Sequence, residues 1–173
     1  MNVAVSSDGN TILATSMGST KITQARLVSG SYTLSYIEVD EPSWGVAFVH
    51  PLIAILTHPG STILSVLTRA TTSSNFNKDR DIVLGDQFRY STELIAKPGT
   101  KVVYVANRGM PLSGQGSWTN AVFRVNVDSD QITGTMVTER EPRALTLSPN
   151  ANRLYVGHIQ GALGGVPLTT NNP

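Results

Sequence analysis

Cysteine is missing from this chain altogether. Disulfide scaffolds and thiolate metal centres are thereby excluded. Charge is sparse as well. Asp, Glu, Lys and Arg make up 14% of the 173 residues, and the net charge is +1. The cations are scattered rather than gathered, so no nucleic-acid partner is expected. Long apolar runs are also lacking. The longest, around Leu52–Leu56, is far short of the roughly 20 residues that span a bilayer, and no membrane partner is expected. The opening "MNVAVSSDGN" has no basic n-region and no apolar h-region, so no secretory leader is visible and the cytoplasm is the default compartment. No stretch carries the periodicity of an amphipathic helix.

What is present is short apolar runs, abundant Ser and Thr, and punctuation by Gly, Asn, Asp or Pro every eight to twelve residues. That composition suits all-β folds. "NVAVSSDGNTILATS" reads as strand, Asp8-Gly9 turn, strand. "GVAFVHPLIAILTHPG", "STELIAKPGTKVVYVANRG" and "RALTLSPNANRLYVGH" repeat the form around His50-Pro51, Pro98-Gly99 and Pro149-Asn150. Aligning the hairpins makes Val3, Val46, Leu94 and Leu145 equivalent, at spacings of 43, 48 and 51 residues. Self-similarity at this period, with four short strands per unit, predicts a β-propeller. A β-sandwich is the competing all-β architecture, but sandwiches rarely repeat one hairpin four times.

The units run approximately 1–45, 46–92, 93–142 and 143–173, within one domain of 1–173. The first predicts strands Val3–Ser6, Thr11–Thr15, Ile22–Ser29 and Tyr32–Val39. The third predicts Glu93–Ala96, Val102–Ala106, Ala121–Val127 and Ile132–Val137, with the Gly/Ser-rich loop Arg108–Asn120 and its Trp118 inserted. The last supplies Ala144–Leu147, Arg153–Gly157 and an edge strand, Gly164–Thr170, marked by Pro167. The count is therefore about three and a half to four blades. Blades pack face to face, so their inner strands are expected to be apolar on both sides. Val3, Val5, Val46, Phe48, Leu94, Leu145 and Leu147 are expected to be buried on innermost strands. Leu13, Ile55, Val103, Val105, Leu154 and Val156 are expected to be buried on second strands.

Catalytic motifs are scarce. His50, His58 and His158 show no HxH or HxxxH spacing, so no metal is expected, and all three read as half-exposed strand-end residues. "GALGG" (Gly161–Gly165) is not followed by a helix, which removes the phosphate-cradle argument. Asp79/Asp81, Asp128/Asp130 and Glu139/Glu141 fall in or beside predicted turns, where Asp and Asn cap backbone groups. Asp8 reads the same way. Trp44, in a linker "EPSWG" that parallels "EPRAL", reads as inter-blade packing. Arg108 and Arg143 sit near blade edges, where an arginine binds a carboxylate or phosphate in a bidentate manner, or pairs with Glu139 or Glu141.

"SSDGNTILAT", "KPGTKVVYVANRG" and "SPNANRLYVGH" resemble the YVTN-type repeat. More narrowly, Lys101–Gly157, with "VVYVANRG", "AVFRVNVDSDQITG" and "EPRALTLSPNANRLYVG", resembles two blades of the lactonase-like seven-bladed propellers, the 6-phosphogluconolactonase and muconate-lactonizing types. The chain is about half that family's length. The resemblance implies that Arg108 and Arg143 face the central funnel; His158 is a third ligand-binding candidate. The pattern departs at "YVGHIQG", where Gly157-His158 stands in place of Ala-Asn. Two functions follow as expectations. One is a non-enzymatic structural or interaction propeller, completed by a second copy or a complementary propeller-forming chain. The other is a lactonase-like hydrolase acting on a sugar-acid or other cyclic ester in the funnel. A small anionic ligand is a further candidate partner, and no cofactor is expected.

Overall fold

A computed structural model describes residues 1–85, 90–108, 120–138 and 141–159, and the backbone of 163–167. Its strands form four antiparallel sheets. The first is β1 (Asn2–Val5), β2 (Thr11–Thr15), β3 (Lys21–Val28) and β4 (Ser31–Glu38). The second is β5 (Val46–His50), β6 (Ile53–Thr57), β7 (Ile63–Thr68) and β8 (Asn77–Val83). The third is β9 (Ser91–Ala96), β10 (Val102–Asn107), β11 (Ala121–Asn126) and β12 (Gln131–Val137). The fourth is β13 (Pro142–Leu147), β14 (Arg153–His158) and β15 (Leu163–Pro167). Within each sheet the strands pair in chain order. Sheets of this kind, stacked face to face through their inner strands, are about three and a half blades of a β-propeller.

The hairpin turns show why the repeat folds as it does. In blade 1 the Ser6 amide donates to the Thr11 carbonyl at 2.8 Å. The Thr11 amide returns a bond to Ser6 Oγ at 2.9 Å. Ser6 Oγ donates to Asp8 Oδ1 at 2.6 Å, and the Asn10 amide donates to the same oxygen at 3.1 Å. Gly9 completes the turn at φ 72°, a conformation side chains resist. Blade 4 repeats the arrangement, with Ser148 in place of Ser6 and Asn150 in place of Asp8. Asp8 is thus a turn residue, and its hydrogen bonds hold its carboxyl below the ordinary value.

Three apolar clusters lie between the blades. In each, the forward face of one blade meets the back face of the next. Leu13, Ile22 and Ile37 of blade 1 meet Val46, Leu56 and Leu67 of blade 2. Ile55, Leu64 and Val66 of blade 2 meet Leu94, Val103 and Val105 of blade 3. Val102, Tyr104 and Val122 of blade 3 meet Leu154 and Val156 of blade 4. All six expected second-strand residues are buried.

The inner strands divide. Val46 and Leu94 are buried, whereas Phe48, Leu145 and Leu147 are half-buried. Val3 and Val5 are 50% and 56% exposed, contrary to the expectation of a two-sided apolar inner strand. The cause is positional: both lie on the back face of blade 1, and no described residue covers that face. Two readings at the turns also change. Asp79 and Asp81 lie within β8 rather than in a turn. His58 is fully buried rather than half-exposed. Trp118, Glu139, Gly161 and Leu168–Thr170 lie outside the described residues.

Candidate functional site

Blade-to-blade hydrogen bonds place corresponding blade ends together. Thr15 Oγ1, at the end of β2, donates to the Trp44 carbonyl at the threshold of β5. Thr57 Oγ1, at the end of β6, donates to the Thr92 carbonyl in β9 at 2.6 Å. The Gly45 amide donates to the same Thr57 oxygen at 2.8 Å. A Cβ on Gly45 would sit 2.5 Å from the Thr92 carbonyl oxygen and 2.6 Å from Leu94 Cδ2, so only glycine fits this crossing. The inner strands therefore all run in one direction, with the blade-crossing ends at one rim and the hairpin turns at the other. The Trp44 side chain itself is half-buried in that linker.

Arg108, Arg143 and His158 all belong to the blade-crossing rim of blades 3 and 4. Arg108 follows β10, and its guanidinium pairs with the Glu141 carboxylate from the linker into blade 4. That pairing is the alternative use of the arginine which the sequence left open. Arg143 is exposed and forms the extra residue of a bulge in β13, between the pairs Pro142–His158 and Ala144–Gly157. Bulges re-aim side chains at blade and barrel edges. His158 ends β14 and is half-buried.

The opposite rim carries chemistry that the sequence reading missed. A cleft of about 730 Å³ opens among the inner strands β1, β5 and β9 and the hairpin ends of blades 1 to 3. Its walls are largely apolar, and its titratable lining residues are His50, Lys97 and Lys101, with no carboxylate among them. Across the axis, Asn2 Nδ2 donates to both Glu93 carboxylate oxygens, at 3.1 and 3.0 Å, tying blade 1 to blade 3. The signal was available in the aligned hairpin ends, where His50 and Lys97 fall near one another in the repeat.

His58 is the most enclosed titratable side chain near the crossing rim. Its Nε2 donates to Ser65 Oγ at 2.8 Å, and Ser65 Oγ donates to Asp81 Oδ1 at 2.7 Å. Its Nδ1 lies 3.3 Å from Ser43 Oγ and 3.2 Å from the carbonyls of Glu41 and Pro42. Burial holds the imidazole below its ordinary value of 6.5, against the smaller opposing pull of those carbonyls and of Glu41. The ring is thus a neutral peg fastening the blade 1–2 linker to β7 and β8. Among the described residues no three His, Asp or Glu side chains cluster as metal ligands.

The remaining feature is a surface. Register places Val3, Ala14, Thr23 and Tyr36 in one row across the back of blade 1. Val5, Ile12, Ala25 and Leu34 form the next row. Neither row contains a charge. Leu34 is 67% exposed and Tyr36 is 65% exposed. Single exposed apolar residues are ordinary, but two adjoining uncharged rows, bordered on the same face by the Lys21–Glu38 ion pair, make a continuous apolar strip of the kind that marks a contact.

No family model matches this sequence, and no curated protein matches it. Solved structures do. Hydrazine synthase of Kuenenia stuttgartiensis superposes with a TM-score of 0.71 at 14% identity, over 99% of this chain and 55% of that one. The WD40 repeats of RRP9 give 0.67 at 15% identity, over 99% and 47%. A 6-phosphogluconolactonase-like protein of Bacteroides uniformis gives 0.66 at 19% identity, over 97% and 56%. At such identities the likeness is one of fold. The chain spans about half the length of the solved chains it matches.

Proposed function

We propose that this half-ring propeller is a non-enzymatic interaction module whose blade-1 back face is a docking surface for a propeller blade on another chain. One observation carries the reading. Val3 and Val46 are the same residue at the same repeat position, yet one is 50% exposed and the other 5%. Val46 is covered because a forward blade face lies against it, and Val3 is open because none does. Leaving two uncharged rows open to water forgoes the burial that stabilises every other blade junction. The partner is a second copy or a complementary propeller-forming chain.

The pairing of Arg108 with Glu141 supports the non-enzymatic reading, since it neutralises one of the two funnel arginines on which a lactonase site would depend. The test is the mass of the particle isolated under native conditions from its source cells. A mass well above 18.5 kDa, with a further propeller-type chain or copy present, is expected. A monodisperse 18.5 kDa particle overturns the proposal.

A further inference from the structure

We propose that the hairpin rim between blades 1 and 2 carries a binding site for a small phosphomonoester, with Arg26 as the residue that receives the phosphate. The site lies on the forward side of blade 1, so it is independent of what covers the back face. It is also separate from the rim of Arg108 and Arg143.

Strand register builds the site. Arg26 of β3 stands between Thr11 of β2 and Thr33 of β4 in one cross-strand row. It shares the face of Ile22 and Gln24, because side chains two apart on a strand point the same way, and Ile22 on that face packs against blade 2. A cleft of about 380 Å³ opens between the turn from β3 to β4 and the connection from β7 to β8. Its polar side chains are Asn10, Arg26, Ser29, Thr72 and Ser73. Arg26 is the one charged residue among the described residues that line it.

A second arginine braces this cleft. Arg69 is 5% exposed, and its guanidinium lies 4.7 Å from the centre of the Phe76 ring. Its Nε donates to the Pro51 carbonyl at 2.8 Å. Its Nη1 donates to Thr11 Oγ1 at 2.8 Å and to the Thr72 carbonyl at 2.9 Å. Arg69 therefore holds both Thr11, the cross-strand neighbour of Arg26, and Thr72, a wall of the cleft.

The two guanidiniums leave donors unused. Arg26 Nε and Arg69 Nη2 are closed to water, and neither has a hydrogen-bond partner. Asp8 Oδ2 lies 3.9 Å from Arg69 Nη2, and its other oxygen is taken by Ser6 and Asn10. Among the described residues no acid pairs with Arg26. Burial weakens the hold of Arg69 on its proton, Asp8 opposes that, and repulsion from Arg26 adds to it. Two like charges thus share this rim with one acid. Unpaired donors and surplus charge are both unfavourable, and a bound oxyanion relieves both.

Hydroxyls on both walls favour a phosphate over a carboxylate. Ser29 belongs to blade 1, and Thr72 and Ser73 belong to blade 2. A phosphate monoester offers three strong acceptor oxygens, enough for a guanidinium and hydroxyls together. Leu27 and Val28, 38% and 40% exposed, complete the lining and give an apolar flank for a small organic group.

The test records amide spectra of the isotope-labelled 173-residue chain during titration with inorganic phosphate, phenyl phosphate and benzoate. Saturable shifts are expected at Ser29, Gly30, Thr72 and Ser73, with phenyl phosphate binding most tightly and benzoate least. Arg26→Gln is expected to weaken phenyl phosphate by about tenfold or more, the worth of one charge-assisted hydrogen bond. Lys21→Gln removes the same charge from the far end of β3, where Lys21 is exposed and paired with Glu38, and is expected to leave the affinity unchanged.

The absence of saturable shifts at those amides overturns the site, and that result requires no variant to fold. Equal weakening by Lys21→Gln reduces the effect to net charge and also overturns it. Benzoate binding as tightly as phenyl phosphate overturns the phosphate class, and inorganic phosphate doing so overturns the apolar flank.

Discussion

Blades 1 and 2 carry the same hairpin, yet their back faces live in different surroundings. Val46, Leu56 and Leu67 are sealed against Leu13, Ile22 and Ile37. The blade-1 face with Val3, Val5, Leu34 and Tyr36 faces solvent. The local sequence rules are the same in both, so the difference comes from the neighbour and not from the strand. A propeller face is half of a contact, and its burial is decided by a blade some forty residues away.

The comparison is sharpest where a covered face is damaged. Leu154→Ala removes a fully buried side chain from the junction of blades 3 and 4. It is expected to cost about 2–5 kcal/mol in urea unfolding. An unchanged midpoint would break the face-to-face assignment of that blade. Gly45→Ala comes next. Its new methyl group would meet the Thr92 carbonyl oxygen at 2.5 Å, and the backbone must shift at a cost of about 1–3 kcal/mol.

Val46→Ala and Val3→Ala then test the two faces directly. The first is expected to cost about 2 kcal/mol, from lost burial and the cavity left behind. The second, in the unassembled chain, is expected to stay within about 0.5 kcal/mol. Equal losses for the two would mean that Val3 is already covered.

The smallest expected effect is a pH slope. His58 is held below 6.5 when folded, so below that pH the unfolded chain binds the proton first. Stability is then full above about 6.5 and declines as pH falls from there toward the lowered folded value. His58→Gln should remove this slope even where its overall stability is lower. Urea midpoints across pH 5 to 8 check it, and an identical slope in both proteins would contradict the buried neutral assignment.

Much of the architecture was legible because the repeat is written locally. The turn at Asp8-Gly9 and the period-two runs of blade 1 place each strand within about one residue of its observed ends. What was illegible depends on distant chain. Val3 and Val46 read alike because their coverage is set by another blade. His58 looked like a rim histidine, but the linker 41–43 and Ser65 enclose it. Asp79 and Asp81 looked like turn caps. In the structure they lie on β8, where Asp81 accepts from Ser65 and pairs with Lys78 at 2.7 Å, and Asp79 pairs with Arg80 at 2.8 Å. The cleft of His50, Lys97 and Lys101 joins hairpin ends about fifty residues apart. Arg108 and Arg143 read from the repeat as blade-edge residues, and in the structure Arg108 follows β10 and Arg143 sits at the bulge of β13. The Glu141 partner of Arg108 was one of two acids the sequence offered.

The central claim is that the back face of blade 1 is an inter-blade face like the others. Hydroxyl-radical footprinting of the native particle tests it most directly, by comparing labelling at Val3, Leu34 and Tyr36 with labelling at Val46 and Leu94. Met17, 55% exposed on a loop, serves as the open reference. The account predicts that all five residues are protected relative to Met17. With labelling corrected for each side chain's intrinsic reactivity, Val3, Leu34 and Tyr36 labelling as readily as Met17, while Val46 and Leu94 stay protected, would contradict it.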